Sequence, residues 1–270
     1  MSKLSIIIIN YNTGLHLKKC IDSIAKTTSN LTIPDSEVII IDNDSKDNSL
    51  LKINSTKKIK VLKNHANLGF AKAVNQALDV SMGDYKLLLN PDTILKKHAI
   101  KTMLEFSQKT PNAGVVGARL LDPNGKIQAS VIPLPTIWGA IKEFWLGRKN
   151  SYSKYKITSR GPTKVDSVVG AAFLVSPLAI KKVGKLNNKF FMYYEDIEYC
   201  KRVKQAGLEV YYLPQAEVIH YHGVSGKAIV NQSNQWKRLI PSSIAYHGVL
   251  IHYVLWLVLF TGQKLRKLLN

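Results

Sequence analysis

Ile6 to Ile9 are four β-branched residues in a row, bounded by polar Ser5 and Asn10. A run with no polar face to turn to water reads as a strand covered on both sides. Glu37-Val-Ile-Ile-Ile41 and Tyr85-Lys-Leu-Leu-Leu89 repeat the pattern, and Lys60-Val-Leu62 is a shorter candidate. Between them, Leu17, Cys20, Ile21 and Ile24, and then Phe70, Ala73, Val74, Ala77 and Leu78, fall at helical spacing. Buried strands that alternate with amphipathic helices need right-handed crossovers. The expected fold class is therefore α/β, a Rossmann-like, mostly parallel sheet flanked by helices.

The second half is less regular. Val115–Ala118, Val165–Val175, Val210–Leu213 and Ala216–His220 read as strands, and Glu195–Ala206 as a helix stopped by Gly207. Residues 122–164, rich in Pro, Gly, Ser and Lys, read as loops and short helices. A strongly apolar stretch begins near Pro241 and is expected to be a helical tail.

Polar residues gather where such a sheet binds its ligands. Asn10, Asn12, Asp42, Asp44, Asn90 and Asp92 all follow the carboxyl ends of strands, which border the ligand crevice of open α/β sheets. Asn90-Pro-Asp92 offers hard oxygens for a divalent cation that would neutralise a diphosphate, and it equally suits a turn whose Asp92 caps the next helix. Asp42-Asn-Asp-Ser45 can accept from a pyrimidine imide or reach a ribose, or it can simply cap a helix. Phe190-Phe-Met-Tyr-Tyr-Glu-Asp196 brings two acids to a helix start behind an aromatic wall. One acid could serve as a general base, while both also complement a helix dipole. His220, at a strand end, can complete a metal site begun by Asp92 or be structural.

In order and context these segments are specific. Ser5–Asn12, Ile41–Ser45, Asn67-Leu-Gly-Phe-Ala71 with Asn75, Leu89–Asp92, Gly170–Phe173, Phe191–Asp196 and His220 with Gly223 and Ser225 together resemble the family-2 glycosyltransferases of GT-A fold, within them the rhamnosyltransferase-like group. The resemblance implies an inverting transfer from a nucleotide-sugar donor (dTDP- or UDP-linked) to a glycan or lipid-linked saccharide acceptor, assisted by magnesium or manganese. It implies that Asn10, Asp42 and Asp44 hold the nucleotide, with Asn12 and Asn90 at the same strand ends, and that Asn67, Gly69 and Asn75 line the donor pocket. Asp92 would bind the metal with His220 beside it. Asp196 would be the base, and Glu195 would orient the acceptor or cap the helix. The implied organisation is a catalytic domain over 1–240, split into a nucleotide-binding half (1–95) and an acceptor half (96–240), followed by the tail (241–270). Asn90 departs from the family's Asp-x-Asp and leaves one fewer charge for the cation. The likeness is poor over 122–164, where acceptor specificity should lie.

Charge supplies the remaining constraint. Lys and Arg number 38 against 18 Asp and Glu, a net charge of +20, which suits anionic lipid, nucleic acid or phosphorylated substrates. Nucleic acid fits least, because the basic residues are spread along the chain and acids occupy the expected cleft. A sugar-nucleotide nucleotidyltransferase would share the sheet, but it calls for a Gly-rich basic loop where Asn10-Tyr-Asn-Thr-Gly14 stands. The start does not read as a signal peptide, and Cys20 and Cys200 read as reduced thiols of a cytoplasmic chain. No charged residue occurs from Leu239 to Gln263, Tyr253 and Trp256 are interfacial aromatics, and Lys or Arg residues flank both ends. Positive charge on both sides favours a segment lying on the inner face of the plasma membrane over one crossing it. The other reading is a helix packed on the catalytic domain or on a dimer partner.

Overall fold

A computed structural model describes residues 3–28, 36–51, 53, 55–221 and 235–269. Strands β1 (Leu4–Asn10), β2 (Ser36–Asp42), β3 (Ile59–Lys63) and β4 (Tyr85–Leu89) lie in the order β3-β2-β1-β4, all parallel. Every residue of β1 is buried. Because successive side chains point to opposite faces, the isoleucine run serves two cores. Ile6 and Ile8 pack with Leu17, Cys20 and Ile24 of α1 (Leu15–Thr28), while Ile7 and Ile9 pack with Ala73, Val74 and Ala77 of α2 (Phe70–Val80).

Beyond β4 the sheet becomes mixed. Following β5 (Thr93–Leu95), α3 (Ala99–Lys109) and β6 (Ala113–Leu121) come β7 (Val131–Ile132) and α4 (Ile137–Phe144). Next are β8 (Thr163–Val165), β9 (Ser167–Val168), β10 (Ala172–Val175), α5 (Pro177–Val183), α6 (Glu195–Gln205) and β11 (Glu209–His220). β10 runs antiparallel between β4 and β6, β11 is parallel to β6, and β5 and β8 pair antiparallel with β11.

Two expected elements change form. The single strand expected over 165–175 is three, because β9 leaves the main sheet to pair with β7 and residues 170 and 171 form a turn. The two strands expected over 210–220 are one, irregular between Leu213 and Glu217, where Pro214 lacks the N–H that a regular ladder needs.

The tail forms α7 (Gln235–His247) and α8 (Val249–Leu269), so the boundary drawn at residue 240 falls inside a helix. Both helices dock on the domain. Ser242 Oγ donates to the Met192 carbonyl at 2.7 Å, and Tyr246 and His247 pack against Tyr194. α8 lies along α4: Trp145 Nε1 donates to the Val258 carbonyl at 3.1 Å, and Arg266 bonds the Glu143 carbonyl. Gly262 sits so close that a Cβ there would lie 2.7 Å from Phe144 Cβ. Among the described residues no helix is long and apolar enough to cross a membrane.

Candidate active site

At the carboxyl ends of β1, β2 and β4 opens a cavity of about 570 Å³. Its walls bring together Asn67, Gly69, Asn90, Asp92, Glu195, Asp196 and His220 of the sequence-derived set. Asn10, Asn12, Asp42, Asp44 and Asn75 do not line it. Asn10 and Asp42 instead form a buried clasp: Asn10 Nδ2 donates to Asp42 Oδ1 at 2.6 Å and to Ser45 and Ser49 Oγ, and Asp42 Oδ2 accepts the Ser45 N–H. Asn12, at φ 50°, accepts from the Lys46 N–H, and Asp44 is paired with Lys46. Asn75 ties α2 to a distant loop, bonding Leu186 through both its amide groups and Asn188 through its Nδ2.

The residues that reach the cavity between these anchors are Tyr11 and Asn43. Alternation along an extended chain turns them outward when their neighbours turn inward. Asn43 lies within the Asp42-Asn-Asp-Ser45 motif, between the two acids. The Gly223 and Ser225 positions of the last motif lie outside the described residues.

Asp92 and His220 face each other across adjacent, antiparallel segments, with Oδ1 and Nε2 3.5 Å apart. That is long for a direct hydrogen bond. Gln128 sets the imidazole: its Nε2 donates to the His220 carbonyl at 2.7 Å, which leaves Oε1 toward His220 Nδ1 at 3.1 Å. Nδ1 then carries a proton toward Gln128, and Nε2 faces the carboxylate. A neutral imidazole nitrogen and a carboxylate oxygen at this separation suit neighbouring ligands of one cation, which stand about 3–3.5 Å apart when each bond is about 2.1 Å. No further His, Cys, Asp or Glu joins them in a cluster among the described residues. The residues present therefore fit a divalent ion that takes its other oxygens from substrate or water. Gln128 lies in the segment where the sequence offered no motif.

Across the cavity, Tyr193 and Tyr194 both adopt positive φ (70° and 69°). Two such bulky residues in succession are strained. The turn they make starts α6 at the cavity wall, with Glu195, Asp196 and Glu198 in its first turn, where helix N–H groups favour negative charge. Asp196 accepts from the Gly170 N–H at 2.9 Å and from the Ile197 N–H at 2.8 Å. Burial pushes its carboxyl above the usual range, a push that these N–H bonds and the Lys154 charge oppose. Glu195 is more deeply placed. Its Oε2 is buried with no hydrogen-bond partner, and burial, with Asp196 second, raises its pKa to about 8. Of the two acids, Asp196 is the one tied to backbone N–H groups at the cavity, and Glu195 is the one that burial holds neutral.

Gly69 joins the two walls. Its N–H donates to Asn67 Oδ1 at 2.9 Å, the next N–H (Phe70) donates to the Phe191 carbonyl at 2.6 Å, and Gly69 itself has φ +84°. Lys154, Ile132 and Leu239 complete the outer rim, so the 122–164 segment and the start of α7 both border the opening.

The family model described as "Glycosyl transferase family 2" matches residues 5–175. The N-acetylglucosaminyl-diphospho-decaprenol L-rhamnosyltransferase of Mycobacterium tuberculosis (strain H37Rv) is 27% identical over 237 residues, covering 81% of this chain and 76% of that protein. Rhamnosyltransferase WbbL of Escherichia coli (strain K12) is 27% identical over 232 residues, covering 80% and 84%. Among solved structures, GalNAc-T7 with UDP, GalNAc and Mn2+ superposes with TM-score 0.64 at 16% identity, covering 82% of this chain but only 43% of that one. S. aureus TarS 1–349 in complex with UDP does so with TM-score 0.58 at 15% identity, covering 90% and 64%. At such identities the structural likeness is one of fold, the GT-A arrangement.

Proposed function

The chain belongs to glycosyl transferase family 2, and from that membership we propose that it is an inverting, metal-dependent enzyme. The proposed reaction transfers a sugar, rhamnose by analogy with its relatives, from a dTDP- or UDP-linked donor to a hydroxyl of a lipid-linked saccharide in cell-surface glycan synthesis. The observation that carries the reading is the placement of Asp196 and the Asp92–His220 pair on walls of one cavity.

The nucleotide is taken to lie over Tyr11 and Asn43, braced from behind by the Asn10–Asp42 clasp, with Asn67 and Gly69 beside the sugar. The diphosphate then reaches Asn90, Asp92 and His220. A divalent cation held by Asp92 and His220 would neutralise the departing diphosphate, and with Asn90 in place of a second acid more of the cation's charge would be balanced by the substrate. Asp196, anchored by two backbone N–H groups, takes the proton of the acceptor hydroxyl as its oxygen bonds to the anomeric carbon. The bond to the diphosphate breaks on the opposite face of the sugar, which inverts the anomeric centre. Glu195, kept neutral by burial, presents a carboxyl that can donate to the acceptor rather than compete for its proton.

The proposed site of action is the cytoplasmic face of the membrane, reached through the tail. In support, α7 borders the cavity with Leu239, and α8 leaves Val249, Leu250, Tyr253, Trp256 and Leu257 exposed. The test is calorimetric titration with UDP-, dTDP- and GDP-sugars, with manganese and with a chelator. Tighter binding of the pyrimidine donors that weakens in chelator is expected. Preference for GDP, or affinity indifferent to the metal, overturns the donor and metal assignments respectively.

A further inference from the structure

We propose that the surface that meets the membrane is a two-part platform, in which α4 and the turn after it insert beside α8, with anionic lipid headgroups as the partner. This rests on the reading that the chain works at a membrane, and it adds that the catalytic domain itself supplies half of the contact.

The two helices form one unit. The bonds from Trp145 and Arg266 and the close approach at Gly262 lock α8 onto α4 along the face carrying Val258, Gly262 and Arg266. What faces outward is apolar on both parts: Trp138 and Leu146 are each 57% exposed, Leu250 78%, Trp256 54% and Leu257 55%. Large apolar side chains left bare on two helices packed together mark an interaction site. The exposed Trp138 and Trp256 suit the headgroup layer, where an apolar ring and a polar N–H are both accommodated.

Charge decides the partner. No Asp or Glu follows Glu217 in the sequence, and between Asp122 and Asp166 the only acid is Glu143. Glu143 is buried and spent on the N–H groups of Ser151, Tyr152 and Ser153. The α4 segment carries Lys142, Arg148 and Lys149, and α8 carries Lys264, Arg266 and Lys267. Lys142 lies 5.5 Å from the Trp138 ring and Lys264 4.5 Å from the Phe260 ring, so cations sit beside the apolar groups. A platform without a surface carboxylate repels a second copy of itself, in a chain of net charge +20, and attracts an anionic leaflet. Residues downstream of α4 line the cavity, as does Leu239 of α7, so docking on this platform would hold the opening next to a lipid-borne acceptor.

The experiment is flotation of the full chain with phosphatidylcholine vesicles, with and without phosphatidylglycerol. It compares wild type, Trp138→Ala/Leu146→Ala and Leu250→Ala/Leu257→Ala, with melting temperature and donor affinity as checks on folding. Each pair should weaken partitioning into anionic vesicles about tenfold or more, since each removes apolar area from insertion, and wild type should bind neutral vesicles far less. If the α4 pair floats like wild type while the α8 pair does not, the tail docks alone and the platform is refuted, though the membrane reading stands. If wild type ignores anionic vesicles, both fall. If the α4 pair instead splits a dimer seen by sedimentation, with vesicle binding unchanged, a second copy covers this face and the proposal is overturned.

Discussion

Gly69→Ala tests whether the two walls of the cavity are held together where Gly69 meets Phe191. A Cβ on Gly69 would stand 2.6 Å from the Phe191 carbonyl oxygen, 2.7 Å from its Cδ2 and 3.0 Å from its Cα. The first and last are backbone atoms that no rotamer change can move, and Phe191 leads directly into the Tyr193–Tyr194 turn that positions Asp196. Gly125→Ala is the matched control: its φ is +80°, yet a Cβ there meets nothing within 4 Å. Both substitutions incur the left-handed backbone penalty of about 1–2 kcal/mol, offset by about 0.4–1 kcal/mol from a less flexible unfolded chain, so Gly125→Ala should cost about 1 kcal/mol. Gly69→Ala adds overpacking of about 1–3 kcal/mol, for a total of about 2–4 kcal/mol. At about 2–4 °C per kcal/mol, calorimetry should find a melting temperature roughly 5–10 °C lower for Gly69→Ala and only a few degrees lower for Gly125→Ala. Donor affinity should fall in the first variant alone. Equal melting temperatures, or a Gly69→Ala enzyme that binds donor normally, would refute the idea that this contact sets the site.

Asp196→Asn should retain donor binding and lose transfer by about a hundredfold or more; near-normal turnover would remove its role as base. In wild type the rate should fall as pH drops through the raised Asp196 pKa, because only the anion accepts the proton. Asp92→Ala should weaken donor binding only when manganese is present, with His220→Ala milder. Gln128→Leu should lower manganese affinity about 10–100-fold by freeing the imidazole tautomer, and unchanged manganese titrations would show that Gln128 merely packs. Glu195 has its folded pKa, about 8, above the ordinary 4.5. The folded state then binds protons that the unfolded chain releases, so this group's contribution to stability declines as pH rises from about 4.5 to about 8. Glu195→Gln should flatten that decline and melt higher than wild type at pH 8; parallel pH–stability curves would show that Glu195 is not held neutral.

Much of this protein could be read from local pattern. The isoleucine run of β1 and its counterparts in β2 and β4 determined a doubly covered parallel sheet, because a strand with no polar face has only one place to go. The same runs marked the strand ends, hence the level in the fold at which Asn90, Asp92, Glu195, Asp196 and His220 meet. α3 has helical spacing in Ala99, Ile100, Met103 and Leu104 but no cap or breaker to announce it: His98 precedes it in a left-handed conformation with no side-chain cap. What tertiary structure alone decided was orientation. Whether Asn43 or Asp42 faces the cavity depends on the twist and pairing of β2, and the two differ by a single residue. That Asn75 ties down Leu186, 111 positions away, and that Gln128 sets the tautomer of His220, 92 positions away, are contacts between segments with no local period in common. The tail shows both kinds of cause at once: its apolar helix is written in residues 249–260, but its seat on α4 required a glycine at 262 opposite Phe144 and Trp145, a fit that exists only once both helices are folded.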